Sequence, residues 1–415
     1  MSDFQIQRRN HLNTLSTSSK KSHRWQIGLV LTVVLLLAIG SYRFASADTS
    51  VSAVSTYVAP AVIEKQPLDW PSYGQAAIAT RDYGVLETHG VIKQHPTAST
   101  AKLITMLAVM ERKPFELGMS GETLVLDQTD VDLYDHYIAN NGSNAPVQLG
   151  ERITQRQAMQ GVLLVSSNNL ADSLAIWAFG SLEAYRVYAT DMIQRFGLKD
   201  TVIGSDASGL DASTLSTAAD LAIIAQKALE QPVIASIASQ QTATIPVAGQ
   251  INNTNFLLGD DGVIGLKTGE SVEAGGNFIL AANHTIDGHT QQIIIVIMGA
   301  DLSRIAQQDS YKLYISARDN FKYVVLAKKG QEIGAYTPGW SKRTYSAVAK
   351  NEIGAFIWPG MPVTPAIQLD IVRPESKDTS VGVVKFKVAL KTQESPIILA
   401  QSIDEPSMWW RAVAR

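Results

Sequence analysis

Three short polar motifs follow one another along the chain: Ser99-Thr100-Ala101-Lys102, Ser167-Asn168-Asn169 and Lys267-Thr268-Gly269. A serine hydroxyl becomes a good nucleophile only when a neighbouring base takes its proton. Lys102 follows Ser99 by three residues, one helical turn, which would place its amine beside the hydroxyl. Burial lowers the pKa of a lysine, so the amine can be neutral and act as a base. The motifs therefore predict an active serine that works with lysine.

Each motif alone is weak, and the order and spacing of the three carry the prediction. A second Ser-x-x-Lys occurs at Ser18 to Lys21, in a basic tail unsuited to catalysis. The middle motif also allows two registers, because Ser166 and Asn168 form a Ser-x-Asn pair as well. In the register preferred here, Ser167 relays a proton and Asn169 holds a substrate amide. A simple helix-capping turn is the alternative for this motif by itself.

Secondary-structure patterns indicate the elements that position these residues. A helix is expected from Ser99 to Pro114, since Leu103, Met106, Leu107 and Met110 repeat at helical spacing. A second helical stretch is expected over Gln157 to Ala178. Strands are predicted for five segments, of which the last is continuously apolar and therefore central: Gln75–Thr80 and Val85–His89 as a hairpin, then Val263–Leu266, Asn277–Ala282 and Gln292–Met298.

Composition sets limits on function. The chain has 415 residues, of which 46% are hydrophobic and 18% charged, so it is long enough for two globular domains. A net charge of −3 gives no sign of a nucleic-acid partner. There is no cysteine, which excludes disulfides and thiolate chemistry. No metal or cofactor is expected, because the histidines show no ligand spacing; they are His11, His23, His89, His95, His136, His284 and His289.

The amino terminus predicts a membrane segment. A basic tail over residues 1–24 precedes an uncharged apolar run from Trp25 to Tyr42. Its 18 residues span about 27 Å as a helix, close to the thickness of a bilayer core. The charge asymmetry keeps the tail cytoplasmic and exports the rest. Ala45-Ser46-Ala47 fits a signal-peptidase site, so the run is a retained anchor, which the long basic tail favours, or a cleaved signal; a buried core helix is the third alternative.

The remainder divides into a linker at 43–66, a catalytic domain at 67–321 and a β-rich domain at 322–415. A helix is expected from Ser303 to Asn320. Short strands follow it, and the chain ends in the segment Trp409–Arg415, which is too short for a long amphipathic membrane helix. The expected strands are Tyr323–Ala327, Ile353–Trp358, Ile367–Val372, Val381–Ala389 and Pro396–Gln401.

Four segments together resemble the D-alanyl-D-alanine carboxypeptidases, which are low-molecular-mass penicillin-binding proteins. The resemblance is strong over residues 70 to 320 and weaker beyond. The segments are Pro96–Lys102, Leu163–Asn169, Asp206–Asp211 with Ser216–Ala222, and Thr254–Leu258 leading to Gly262–Gly269. The resemblance implies an α+β fold, with an antiparallel sheet flanked by helices and split by a helical lobe, followed by a small all-β domain. It also places the second motif on Ser167.

The same resemblance implies an activity and residue roles. Ser99 would be acylated by a peptidoglycan stem pentapeptide with loss of terminal D-alanine, and by β-lactam antibiotics as covalent inhibitors. Lys102 would be the base and Ser167 the relay. The oxyanion would lie between the backbone N–H groups of Ser99 and Glu270. Further substrate contacts would come from Asn169, Lys267, Thr268, Gly269 and Arg304.

Two positions depart from the family pattern, and other functions compete. Glu270 is acidic where relatives often carry a neutral side chain or histidine. Ala306 stands where some relatives place a carboxylate-binding arginine, with Arg304 two residues earlier. An endopeptidase or transpeptidase would use the same site. A class A β-lactamase would need a glutamate-bearing loop, which Glu183 does not provide. A catalytically dead wall-binding protein is disfavoured because every chemical group of the site is present.

Overall fold

The computed structural model describes residues 19–58 and 64–414. The expected basic tail up to Ser18 and positions 59–63 of the expected linker lie outside the described residues. The helices are α1 (Ser19–Ser46), α2 (Lys102–Arg112), α3 (Gln128–Ala139), α4 (Gln155–Leu164), α5 (Asn168–Phe179), α6 (Leu182–Arg195), α7 (Ala218–Glu230), α8 (Pro232–Ala238), α9 (Ser303–Arg318) and α10 (Met408–Val413), with 3₁₀ turns at Ala98–Ala101 and Asp260–Gly262.

The strands group into one large sheet in each half and several two-stranded pairs. They are β1 (Ala53–Ser55), β2 (Gln75–Thr80), β3 (Gly84–Gly90), β4 (His95–Pro96), β5 (Thr123–Val125), β6 (Arg152–Thr154), β7 (Leu215–Ser216), β8 (Thr242–Ile245), β9 (Gly249–Asn252), β10 (Val263–Ser271), β11 (Gly275–Ile286), β12 (His289–Ala300), β13 (Lys322–Ala327), β14 (Glu332–Tyr336), β15 (Tyr345–Ala349), β16 (Ile353–Ile357), β17 (Val363–Leu369), β18 (Ser380–Val388) and β19 (Lys391–Leu399).

The sheet that carries the third motif is antiparallel and five-stranded, with the order β10-β11-β12-β2-β3. The predicted hairpin is confirmed as β2 and β3, and the predicted central strand is confirmed as β12. Alternate residues of β12 enter two different cores. Ile294, Val296 and Met298 face the helical lobe, whereas Ile293, Ile295 and Ile297 face α9 and the C-terminal strands. Both faces are covered, which explains the continuous apolar run.

The helical lobe contains the second motif, and the expected helical stretch is divided into two helices there. Two helices, α4 and α5, replace the stretch from Gln157 to Ala178. The chain breaks between them because Ser166 has a left-handed backbone, with φ of 62°. Ser167 then caps α5, since its side chain accepts a hydrogen bond from the N–H of Leu170. The break lies within a segment whose apolar pattern is helical throughout, so the pattern alone does not reveal it.

The C-terminal half is a separate six-stranded antiparallel sheet with the order β1-β14-β15-β19-β18-β17, beside the pair β13 and β16. The α+β architecture with a small β domain is therefore confirmed. Two strands, β14 and β15, were not predicted. The expected linker at 43–66 is wrong in one respect: its residues Ala53–Ser55 form an edge strand of this sheet, and Val51 is buried.

A continuous apolar core joins the two halves across the expected boundary after residue 321. One cluster of buried side chains runs from Ile78 and Phe278 in the first sheet to Tyr336 and Phe386 in the second. An ion pair of 2.9 Å between Lys391 and Asp82 also joins the tip of the β2–β3 turn to the C-terminal strands. The catalytic sheet is thus supported from behind by the β domain.

Candidate active site

Ser99 lies at the start of the helix that also carries Lys102. Residues Ala98–Ala101 form a 3₁₀ turn that continues into α2. The Oγ atom of Ser99 is 2.8 Å from Nζ of Lys102. Ser99 is half-buried at the cleft surface, whereas Lys102 is completely buried. Ala98, just before the serine, has a strained left-handed backbone with φ of 45°. Strain of this kind is typical of functional sites and is held here by the surrounding packing.

The partners of Lys102 direct its amine toward Ser99. Besides Ser99, Nζ lies 2.6 Å from Oδ1 of Asn168 and 2.8 Å from the carbonyl oxygen of Ser208. Two carbonyl oxygens accept only, so they take the two N–H bonds of a neutral amine and leave its lone pair for the hydroxyl of Ser99. Burial lowers the pKa of Lys102 to about 7, although Asp206 and Asp172 raise it in part. Ser99 and its base are therefore assembled before any substrate arrives.

A loop and a buried carboxylate hold these partners in place. The side chain of Asp206 accepts hydrogen bonds from the hydroxyl of Ser208 and from the N–H groups of Gly209 and Leu210. This fixes the loop so that the Ser208 carbonyl faces Lys102. Asp172 accepts a hydrogen bond of 2.6 Å from the hydroxyl of Tyr137 and another from the N–H of Ala207.

Asp172 contributes negative charge close to the base. Burial raises its pKa to about 6, against the opposing effect of the Tyr137 hydrogen bond. The residue lies four positions after Asn168 on α5, so both face the same side of that helix. Around neutral pH the carboxylate is ionised in part and favours the protonated form of Lys102.

The second motif differs from the expected register. Ser166, not Ser167, lines the cleft together with Ser99. Asn168, not Asn169, contacts Lys102. The structure turns Ser167 and Asn169 into the protein: both are completely buried, and the Ser167 hydroxyl donates to Oδ1 of Asn169 at 2.7 Å. The physical reason is the left-handed residue at 166, which begins α5 one position later than the preferred register requires.

Asn169 has a purely internal set of partners. Its Oδ1 accepts from the N–H of Ala145, and its Nδ2 donates to the Ala145 carbonyl at 3.0 Å. The side chain thus bridges α5 to the segment before β6, and no part of it is left to hold a substrate amide. In contrast, the buried Nδ2 of Asn168 has no protein partner within the described residues.

The third motif lies on β10, at the edge of the sheet facing the 3₁₀ turn. Lys267 is buried, and its Nζ lies 3.0 Å from the carbonyl oxygen of Thr268. Burial, and then the nearby Lys102, lower the pKa of Lys267 well below its usual range. A Cβ atom on Gly269 would lie 3.1 Å from Thr97 O and Thr100 N, a tight contact, so glycine favours the close approach of the strand to the nucleophile.

The cleft between lobe and sheet has a volume of about 910 Å³. Thr268, Gly269 and Glu270 line it, as expected, opposite Ser99. The carboxylate of Glu270 accepts a hydrogen bond of 2.7 Å from the N–H of Ser303, the first residue of α9. The positive end of a helix stabilises such a carboxylate. The acidic side chain is therefore directed to the helix, and the backbone of Glu270 stays beside the 3₁₀ turn.

Arg304 lies outside the cleft lining in this structure. Its side chain is exposed. Ser303 and Gln307 line the cleft from α9 instead, because residues four apart lie on the same helix face. Ala306 is completely buried in the core behind the sheet.

Sequence reasoning missed four residues that the structure adds to the site: Ser208, Asp172, Tyr137 and Gln307. Only two of them left a signal in the sequence. Ser208 lies in the Asp206–Asp211 segment of the family resemblance, but its contribution is a backbone carbonyl. Asp172 follows Asn168 at helical spacing, which would have indicated a shared face once the alternative register was chosen. Tyr137 and Gln307 reach the site through tertiary packing alone.

Comparison with known proteins gives a consistent result. The model of the peptidase S11 family, described as D-alanyl-D-alanine carboxypeptidase, matches residues 77–302. The D-alanyl-D-alanine carboxypeptidase DacD of Escherichia coli K12 is 28% identical over 249 residues, which cover 58% of this chain and 62% of that protein, slightly less than two thirds. The protein of the same name from Salmonella typhimurium LT2 is 27% identical over 351 residues, covering 82% and 83%.

The fold is also found among solved structures. A peptidoglycan synthesis regulatory factor (PBP3) from Streptococcus pneumoniae superposes with a TM-score of 0.60 at 20% identity, covering 80% of this chain and 98% of that one. At this identity the likeness shows the shared fold. It extends over both the catalytic sheet and the β domain.

Proposed function

This chain belongs to the D-alanyl-D-alanine carboxypeptidase family of serine peptidases, and on that premise we propose that Ser99 removes terminal D-alanine from peptidoglycan stem pentapeptides through an acyl-enzyme. The observation that carries the proposal is the 2.8 Å distance between Ser99 Oγ and a buried lysine whose other two contacts are carbonyl oxygens. That arrangement leaves the amine only one productive role, which is to accept the proton of Ser99.

In the first step the Ser99 oxygen attacks the carbonyl carbon of the penultimate D-alanine. Lys102 takes the hydroxyl proton as the new C–O bond forms. The negative charge on the carbonyl oxygen is stabilised by the backbone N–H groups of Ser99 and Glu270, at the point where β10 packs against the 3₁₀ turn. Such donors act strongly because the cleft holds them in place before the reaction.

The tetrahedral intermediate then loses the terminal D-alanine. Its C–N bond breaks, and the leaving nitrogen takes a proton that originates on Lys102. Ser166 lines the cleft with Ser99 and carries this proton as a hydroxyl relay. Water subsequently attacks the ester, Lys102 again serves as the base, and Ser99 is released with its proton restored.

The remaining site residues bind and position. Asn168 orients the Lys102 amine through its Oδ1 atom. Thr268 presents a hydroxyl to the cleft, 2.9 Å from the hydroxyl of Thr254, and Lys267 supports it from the buried side. The same nucleophile would be acylated by β-lactam antibiotics, since these present a reactive amide carbonyl to the same groups.

A location outside the cytoplasm fits the amino-terminal helix. Residues His23–Ser46 of α1 form an apolar helix of 24 residues, about 36 Å long and long enough to cross a membrane. Its large apolar side chains are exposed to the surroundings. Together with the basic residues before it, this supports a single-pass segment with the catalytic body on the extracytoplasmic side. Carbonate extraction of membranes from expressing cells distinguishes a retained anchor from a cleaved signal.

The activity is tested by incubating the protein with a stem pentapeptide and measuring free D-alanine. We expect release by the unmodified chain and none by Ser99→Ala, whose fold should be unchanged because the hydroxyl contacts only the Lys102 amine among the described residues. Release of D-alanine by Ser99→Ala at the normal rate would overturn the assignment of the nucleophile.

A further inference from the structure

The helix α10 packs against the Ser46 end of α1, which is the extracytoplasmic end in the proposed topology. The guanidinium group of Arg411 lies 5.4 Å from the centre of the Phe44 ring, within the range of a cation–π contact. Arg411 also forms an ion pair with Glu405, which helps to hold its side chain in this position. Phe44 comes two residues after Tyr42, where the apolar run of α1 ends. The helix α10 therefore lies at the level at which α1 leaves the bilayer.

One side of α10 is attached to the β domain. The ring of Trp410 packs edge-on against the ring of Trp340, with the ring centres 5.3 Å apart. Trp340 lies in the turn between β14 and β15, and its indole N–H donates to the carbonyl oxygen of Asp404 at 2.9 Å. The side chain of Ser407 caps the helix by accepting a hydrogen bond from the N–H of Trp410. These contacts hold α10 between α1 and the β14–β15 turn.

The other side of α10 is apolar and exposed. Met408 and Trp409 are 79% and 76% exposed, and Val413 is 46% exposed. Trp409 and Val413 are four residues apart, so they lie on one face of the helix. Tryptophan and tyrosine are enriched where lipid headgroups meet acyl chains, because each has an apolar ring and one polar group. Trp409, together with the exposed Tyr42 of α1, therefore gives this surface the composition of a membrane interface.

The chain also places the β domain close to this end of α1. Val51 follows Ser46 by five residues and is buried in the β domain. Its N–H and carbonyl groups form backbone hydrogen bonds of 2.8 and 3.1 Å with Val372. Five residues reach at most about 18 Å when fully extended. The β domain is thus joined to the membrane segment twice, through this short connection and through α10.

We propose that α10 is a second membrane contact of this protein, in which Met408 and Trp409 enter the boundary between headgroups and acyl chains of the extracytoplasmic leaflet. The proposal rests on the proposed location of the catalytic body and specifies which part of that body touches the bilayer. A phospholipid bilayer is the partner that this surface fits, because the helix on which α10 packs crosses the bilayer at the same place.

This contact orients the β domain on the membrane. The strand β19 begins at Lys391, which pairs with Asp82 of the catalytic domain. It ends at Leu399 beside β15, near the turn that holds Trp340. A strand of this length spans about 27 Å. The end of the sheet that holds α10 lies on the bilayer, and the β18–β19 turn at the other end supports the catalytic domain away from it.

The test uses the absence of cysteine from the chain, since a single introduced cysteine then carries one nitroxide label. Trp409→Cys in the full-length protein is labelled and reconstituted into vesicles of phosphatidylethanolamine and phosphatidylglycerol. Electron paramagnetic resonance measures collisions of the label with oxygen, which concentrates in lipid, and with a nickel chelate, which stays in water. Leu390→Cys is the matched control, because Leu390 is also 76% exposed and lies in the β18–β19 turn of the same domain. Leu35→Cys on α1 reports the bilayer interior.

We expect the ratio of oxygen to nickel collisions at Trp409→Cys to be at least about threefold higher than at Leu390→Cys. Equal ratios at these two positions, with the Leu35→Cys label in lipid, would overturn the proposal and leave the proposed location intact. A Leu35→Cys label that nickel reaches as readily as Leu390→Cys would refute both, whereas D-alanine release tests the activity separately. Weak collisions with both reagents at Trp409→Cys would mean that protein covers α10, and this result would also overturn the proposal.

A doubly labelled variant tests whether α10 stays on α1 in the membrane. Ser46→Cys combined with Trp409→Cys leaves the contact between Phe44 and Arg411 in place. We expect its spectrum to show the dipolar broadening of two neighbouring nitroxides, and Ser46→Cys combined with Leu390→Cys to show none. A spectrum of the first pair without broadening would contradict the proposal.

Discussion

Two adjacent serines, Ser166 and Ser167, should respond to the same substitution in opposite ways. Ser166 lines the cleft, whereas Ser167 is fully buried as the cap of α5. We expect Ser166→Ala to reduce acylation by about 10²- to 10⁴-fold, the usual contribution of a positioned proton-transfer group. Its stability should hardly change, because alanine and serine have a similar cost in the left-handed conformation at this position.

Ser167→Ala should instead reduce stability and spare the chemistry. It removes an N-cap and the 2.7 Å hydrogen bond to Asn169, while the Ala145 N–H still pairs with the Asn169 oxygen. The loss is about 1–2 kcal/mol in the free energy of unfolding. In a domain of this size that corresponds to a fall of roughly 2–8 °C in melting temperature.

The assay for both variants is the rate of acylation by a fluorescent penicillin, combined with thermal unfolding followed by circular dichroism. Each variant is the control for the other, since the same hydroxyl is removed one residue apart. The register derived from the structure is refuted if Ser167→Ala loses acylation at unchanged melting temperature while Ser166→Ala stays active.

Further predictions concern the base and its surroundings. Lys102→Arg should lose more than about nine tenths of the acylation rate, because arginine stays protonated at any workable pH; stopped-flow acylation that retains a larger share would point to another base. In the unmodified protein the acylation rate should rise with pH through a midpoint near 7 and reach a plateau at higher pH, where the Lys102 amine is neutral. Asp172→Asn removes a charge that raises the Lys102 pKa, so the midpoint of this profile should move lower. The rate at pH 6, relative to the plateau, should then increase; a midpoint that stays or moves higher would contradict the assigned electrostatics.

Local patterns were sufficient to predict the elements that carry the first and third motifs. The apolar spacing after Ser99 indicated a buried helix, and the continuous apolar run of β12 indicated a strand with both faces covered. The chemistry of a serine beside a lysine then indicated that this helix carries the nucleophile and its base. These predictions succeeded because each depended on residues within one element.

The register of the second motif depended on a single backbone conformation. Both Ser166-x-Asn168 and Ser167-x-Asn169 fit the pattern, and only the left-handed φ at Ser166 shows where α5 begins. Serine is uncommon in that conformation, so no propensity indicated it. The sequence therefore predicted the types of side chain at the site correctly. The predicted register of the second motif was shifted by one residue.

Long-range packing accounts for the other differences. Arg304 and Gln307 lie on one helix, and their order along it does not reveal which of them faces a cleft formed by other elements. The strand at Ala53–Ser55 pairs with β14, more than 270 residues later. Because its partner is so far away in the sequence, the segment alone looked like a short polar linker. Both outcomes depend on tertiary contacts that periodicity within a single segment does not report.

The identity of the nucleophile is the central claim, and it is tested most directly by locating a covalent adduct. The full-length chain is labelled with a penicillin and digested, and the modified peptide is identified by mass spectrometry. We expect one penicilloyl group on Ser99, full labelling of Ser18→Ala, which alters the other Ser-x-x-Lys, and no labelling of Ser99→Ala. An adduct on any other residue, or labelling that persists in Ser99→Ala, would contradict the account.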